Sequence, residues 1–108
     1  MEKWIDVDLL KNYPEATDEM VKNALDTCTN QVKNNLPEFE EHFPPANSEG
    51  NFYPPDIKTD WTSGFWTGEV WLAYENAANP EDKELFERAG KKQADSFLER
   101  INIRHYID

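Results

Sequence analysis

The chain has 108 residues, room for one small domain. Its 22 acidic and 11 basic residues give a formal net charge of −11, which argues against nucleic acid and against an anionic membrane surface as partners. With 38% hydrophobic and 13% aromatic residues, a packed chain is expected rather than a disordered one. Met1-Glu2-Lys3-Trp4-Ile5-Asp6 lacks the basic start and apolar run of a signal peptide, and no stretch reaches the length of a membrane span. The single cysteine, Cys28, has no internal disulfide partner and fits a reducing compartment. The expected setting is therefore cytoplasmic.

Three helices are expected, in chain order. The first runs from about Asp18 to Leu36, opened by Asp18 and Glu19, where the helix dipole favours acids. Met20, Val21, Ala24, Leu25, Cys28, Val32 and Leu36 recur at helical spacing and predict one apolar face, with Cys28 packed in the core and Pro37 ending the helix. Residues 37–60 read as irregular. They hold Pro37, Pro44, Pro45, Pro54 and Pro55 together with Phe39, Phe43, Phe52 and Tyr53, a composition that predicts an ordered loop folded over something.

The second helix is expected from Ser63 to about Ala78, capped by Thr62 or Ser63. Phe65, Trp66, Val70, Trp71, Leu72, Ala73, Tyr74 and Ala77 leave it no clearly polar face, so it is expected to be buried on most sides. Gly64 and Gly68, on one face, suggest that a backbone or ligand approaches closely there. The third helix begins with Asn79 as cap and Pro80 at its first position, followed by Glu81 and Asp82. Leu85, Phe86, Ala89, Ala94, Phe97, Leu98 and Ile101 form its expected inner face. Lys83, Glu84, Glu87, Arg88, Lys91, Lys92 and Glu99 form a solvated outer one. One buried helix needs more neighbours than two amphipathic helices supply, so part of the fold is expected to lie outside this chain.

Familiar catalytic signatures are absent. There is no Cys-x-x-Cys or His-x-x-x-His for a metal, no glycine-rich phosphate loop and no Gly-x-Ser-x-Gly. His42 and His105 are isolated and read as surface or structural residues. Acids are too numerous for the sequence to select a catalytic pair. Aromatic residues stand out instead. Trp66 and Trp71 are expected in the core. Trp61, at the loop–helix junction between Asp60 and Thr62, is placed either to stack on a sugar ring or to pack.

The stretch Asp60-Trp61-Thr62-Ser63-Gly64-Phe65-Trp66-Thr67-Gly68-Glu69-Val70-Trp71-Leu72-Ala73-Tyr74-Glu75 resembles the early motif of unsaturated glucuronyl hydrolases, glycoside hydrolase family 88. The similarity continues through Ser96-Phe97-Leu98-Glu99-Arg100-Ile101 to Tyr106-Ile107-Asp108. It covers most of the chain but only the first part of a family member. The resemblance implies an all-α fold in which residues 1–108 are the N-terminal fragment of a single (α/α)6 barrel domain, an incomplete toroid of helical hairpins.

It also implies a partner, an unsaturated uronyl oligosaccharide left by a polysaccharide lyase, as in glycosaminoglycan degradation. In the family an aspartate acts as general acid and base to hydrate the C4=C5 double bond. The resulting hemiketal opens and releases the remaining sugar. Carried over by residue, Trp61 matches a tryptophan lining the sugar site. Asp108 matches the first aspartate of the Asp-His-His-Asp segment, whose second aspartate is the one important for catalysis and would come three residues later. No catalytic residue, metal or cofactor is therefore expected within the chain, which should be inactive alone. The alternatives are a non-catalytic helical sugar-binding module and a module that self-associates through exposed helical faces.

Overall fold

A computed structural model of the chain describes residue 8 and residues 11–102. Thr17 opens the first helix by accepting the Met20 N–H on its hydroxyl at 3.1 Å. The helix, α1, runs Asp18–Phe39, three residues beyond the expected stop at Leu36. Pro37 lies inside its last turn and does not end it. The missing Pro37 N–H deprives Lys33 of its helical donor, but Leu36 and Phe39 both enter the core and hold the final turn in register. The second helix, α2, spans Ser63–Asn76, and the third, α3, spans Pro80–Ser96. A 3-10 helix, η1, follows at Phe97–Asn102. The start of α3 is as expected: Asn79 Oδ1 accepts the Asp82 N–H at 2.8 Å, and Pro80 occupies the first turn. The described residues form no sheet, and the architecture is all-α.

The α2 helix packs most extensively on α3 and next on α1. The core is Val32, Leu36 and Phe39 from α1, Phe43 from the loop, Trp66, Val70 and Ala73 from α2, and Phe86 and Ala89 from α3. Among these helices, α2 buries one face only: Ser63, Trp66, Thr67, Val70 and Ala73. Its other side exposes Phe65 (67%) and Leu72 (59%). The expectation of burial nearly all round is thus not met here, because only two helices flank α2. The same shortage uncovers the first half of the α1 face. Met20, Val21 and Leu25 are exposed, and so is Cys28, which is not a core residue. Ala94 on α3 and Leu98 and Ile101, which fall on η1 rather than on α3, are exposed as well, whereas Gln93, a polar residue of α3, is fully buried. The radius of gyration, 17.9 Å, exceeds the roughly 13 Å of a compact domain of this length, as an open assembly requires.

Residues 40–62 are irregular but pinned. Phe43 and Asp56 exchange backbone hydrogen bonds at 2.8 and 3.0 Å and close the loop at its base. Glu49 and Phe52 exchange another pair across Gly50 and Asn51, whose φ values of 55° and 68° are those of a tight hairpin turn. Phe43 turns inward and stacks on Phe97 with ring centroids 5.4 Å apart. Phe52 and Tyr53 remain exposed, so the loop's aromatics divide between core and surface.

The glycines also depart from expectation. A methyl group on Gly64 or Gly68 would meet nothing within 4 Å, so neither marks a close approach among the described residues. The tight position is Gly90, where a Cβ would stand 2.6 Å from Trp71 Cε2. Two substitutions separate these cases. Gly68→Ala gains about 1 kcal/mol of helix propensity and is expected to raise the melting midpoint by roughly 4–8 °C. Gly90→Ala makes the same gain but overpacks the Trp71 indole, at a cost of about 1–3 kcal/mol, and is expected to lower the midpoint. Thermal melts followed by circular dichroism check both, and a stabilised Gly90→Ala would contradict the Trp71 contact.

Candidate functional site

The junction between the loop and α2 is knotted around Asp60. The Asp60 N–H donates to Ser63 Oγ at 2.8 Å, and the Ser63 N–H returns to the Asp60 carbonyl at 3.1 Å. The Asp60 carboxylate accepts the Trp61 N–H at 2.7 Å. Thr62 is the N-cap residue by position, but its hydroxyl makes no capping bond and is buried without a partner. Ser63 therefore does the tying that a cap residue was expected to do. From η1, Arg100 Nη1 donates to the Asp60 carbonyl at 2.9 Å, so a residue forty positions on anchors the same peptide unit.

This arrangement sets Trp61 at the surface, 48% exposed. Its ring meets Phe65 edge to face, with centroids 6.3 Å apart and planes at 85°. Phe65 is itself largely exposed, so the two rings form an open aromatic corner. Trp66 points the opposite way into the core, as expected. Trp71 is half-buried, against Gly90 and edge-on to Tyr74 at 5.7 Å.

Beside the corner, a cleft of about 400 Å³ opens between the loop, the end of α1 and the start of α2. Asn35, Tyr53, Thr62, Phe65, Trp66 and Glu69 line it, and Trp61 does not. A second groove of about 460 Å³ continues along α1 and α2 past Leu25, Cys28 and Leu72, sharing Asn35, Trp66 and Glu69 with the first. Glu69 stands where the two meet; the residue is exposed overall, and partial desolvation of its carboxyl along the groove walls raises the pKa above the usual carboxylate range. The sequence reading passed over Glu69 and Arg100. Glu69 sits in the aromatic motif, but only its placement where the two grooves meet distinguishes it.

Among the described residues no group of His, Cys, Asp or Glu is arranged to hold a metal ion. His42 is half-buried next to Phe43 in the chain. His105 and Asp108 lie outside the described residues. No helix among those described is long and apolar enough to cross a membrane. The site offers flat apolar faces, hydroxyl and amide groups at a cleft and one anchored guanidinium.

Glu69 gives a prediction with a definite sign. A carboxyl whose pKa is raised on folding opposes folding once ionised, so the opposition is absent well below 4.5 and develops as pH rises through the folded value. Glu69→Gln removes the ionisable group. The variant is expected to melt above the wild type at about pH 7, with the difference closing as the pH falls below that range. Parallel melts across pH test this, and a constant difference at every pH would show that desolvation of Glu69 is not the cause.

No protein-family model matches the chain, and no solved structure matches it at a significant level. Curated proteins do. An unsaturated chondroitin disaccharide hydrolase of Streptococcus pneumoniae is 39% identical over 107 residues, which is 99% of this chain and 24% of the relative. The enzyme of the same name from Streptococcus agalactiae is 39% identical over 88 residues, 82% of the chain and 21% of the relative. An unsaturated glucuronyl hydrolase of a Bacillus species is 31% identical over 89 residues, 82% of the chain and 22% of the relative. The chain spans about a quarter of the length of the curated relatives it matches, and across that span it belongs by sequence to the unsaturated glucuronyl hydrolases.

Proposed function

We propose that residues 1–108 are the N-terminal part of a single (α/α)6 barrel domain of glycoside hydrolase family 88. In this reading they serve a cytoplasmic enzyme that hydrates the C4=C5 double bond of unsaturated uronyl residues in lyase-derived oligosaccharides, among them those from glycosaminoglycans. The observation that carries the reading is the 39% identity to a chondroitin disaccharide hydrolase over nearly the whole chain. The one-sided burial of α2 agrees with it: a helix with Trp66, Val70 and Ala73 on one side and Phe65 and Leu72 bare on the other suits an inner position with further helices across from it.

The role assigned to this part is binding. Trp61 offers its indole face to the sugar, and Phe65 stands perpendicular to it as a second wall. The family's general acid–base aspartate falls beyond residue 108 in the motif register, so the 108 residues hold no catalytic carboxylate. Hydration is then the work of groups that this chain does not contain, and Trp61 helps to present the unsaturated ring to them.

A second reading, a self-associating module, draws on the exposed Met20, Val21, Leu25 and Leu72. Sedimentation at several concentrations separates it from the first, since a monomer at every concentration removes it. For the first reading, the purified chain is expected to show no turnover of an unsaturated uronyl disaccharide while the sugar still perturbs its tryptophan fluorescence. Trp61→Ala should abolish that response. Turnover by the chain alone would refute the absence of catalytic groups, and an undiminished response in Trp61→Ala would refute the platform.

A further inference from the structure

The proposed ligand is an anion, yet the chain carries a formal net charge of −11. Binding an acid sugar here requires a cation at short range, and the other described basic side chains nearest the core are committed. Lys33 is paired with Asp82 at 2.6 Å, Arg88 with Glu40 at 3.6 Å, Lys92 with Glu41, and Lys91 with Glu87 at 2.5 Å. Arg100 differs. Among the described residues it forms no ion pair with a carboxylate, although Asp60 is its immediate neighbour. The Asp60 carboxylate is turned to the Trp61 N–H instead.

Two contacts fix the guanidinium. Nη1 donates to the Asp60 carbonyl at 2.9 Å, and Cζ lies 5.9 Å from the centroid of Phe97, which is itself stacked on core residue Phe43. One N–H is used, and among the described residues the remaining fork meets no other hydrogen-bond partner. The Asp60 carbonyl belongs to the peptide group that leads directly into Trp61, so the guanidinium is anchored one peptide unit from the aromatic corner. A guanidinium so placed suits a carboxylate, whose two oxygens it can receive in parallel.

We infer that Arg100 is the charge-reading residue of the Trp61 site and takes the carboxylate of the uronyl ring whose face lies on the indole. The inference rests on Trp61 being the sugar platform, and it adds the group that makes the platform select an acid over a neutral sugar. Anchoring by Asp60 and Phe97 orders the side chain before the ligand arrives, which lowers the cost of binding.

The test is a set of fluorescence titrations of the 108-residue chain with a non-sulfated unsaturated uronyl disaccharide and with its carboxyl methyl ester. The non-sulfated sugar leaves the carboxylate as the only anion. The wild type should favour the acid by about tenfold. Arg100→Gln should lose that preference while holding the ester as before. Arg100→Lys, which keeps the charge without the fork, should retain part of it and guards against a variant that fails to fold. Should both Arg100 variants keep the full acid preference while Trp61→Ala abolishes binding, the arginine role is wrong and the platform stands. Unchanged affinities in Trp61→Ala, or no binding of either sugar by the wild type, would overturn both.

Discussion

The three helices meet at one backbone carbonyl. Phe39 ends α1, and its C=O has no acceptor role left within the helix. It accepts two side-chain hydrogen bonds instead, from Trp66 Nε1 on α2 at 3.0 Å and from Gln93 Nε2 on α3 at 2.9 Å. Trp66 and Gln93 are both buried, so neither donor has water as an alternative. Each such bond contributes about 1 kcal/mol net, but leaving a buried donor unmade costs about 1–3 kcal/mol. That asymmetry fixes the register of all three helices at this point. It also explains why α1 runs through Pro37: the chain must stay helical to Phe39 to deliver the carbonyl.

The end of α1 would otherwise be unfavourable. Its last turn carries no basic residue, and Glu40 and Glu41 follow at the negative end of the helix dipole. Arg88 and Lys92 of α3 offset this by pairing with Glu40 and Glu41 respectively. The Glu41 carboxyl is held below its usual range, first by the hydrogen bond from Lys92 and then by the lysine charge. At the other end of α3, Lys33 reaches Asp82 in the first turn. Exposed pairs of this kind contribute little each. Their effect here is to orient α3 against α1, so that Gln93 faces the Phe39 carbonyl and Gly90 faces Trp71.

Much of this order is written locally in the sequence, and what is not depends on partners far along the chain. Asn79-Pro80 and the start of α2 at Ser63 were legible because helix starts are set by neighbouring residues, whereas α2 stops at Asn76, two residues short of the expected Ala78. Gln93 was not. It lies on the same stripe as Phe86 and Ala89, but its polar side chain reads as surface until the Phe39 carbonyl is known to be there. The same holds for the glycines: spacing singles out Gly64 and Gly68, whereas among the described residues the close approach is at Gly90, where Trp71 from another helix arrives. The apolar face of α1 was legible as a face, but a face does not say what covers it, and Met20, Leu25 and Cys28 stay bare. At the candidate site, Trp61 and its place at the junction were readable from the motif. Arg100 lies in the second stretch of similarity but carries no signal of its own there, since only the fold brings it back forty residues to Asp60.

Charge decides how such a site works. At physiological ionic strength the Debye length is about 8 Å, so most of the carboxylates behind the net charge of −11 are screened from a ligand at the aromatic corner. They slow encounter with an anionic sugar more than they weaken the bound state. A hydrogen bond to a charged group contributes about 1.5–3 kcal/mol at contact, where screening matters little. In the proposed site, one guanidinium held against Asp60 and Phe97 would therefore outweigh many distant acids once a sugar is seated. The acids nearest the core are in turn matched by lysine and arginine across α1 and α3. What remains at the surface is a flat indole, a perpendicular phenyl ring and a guanidinium anchored on the peptide that leads into them, the arrangement on which the proposed acid-sugar site rests.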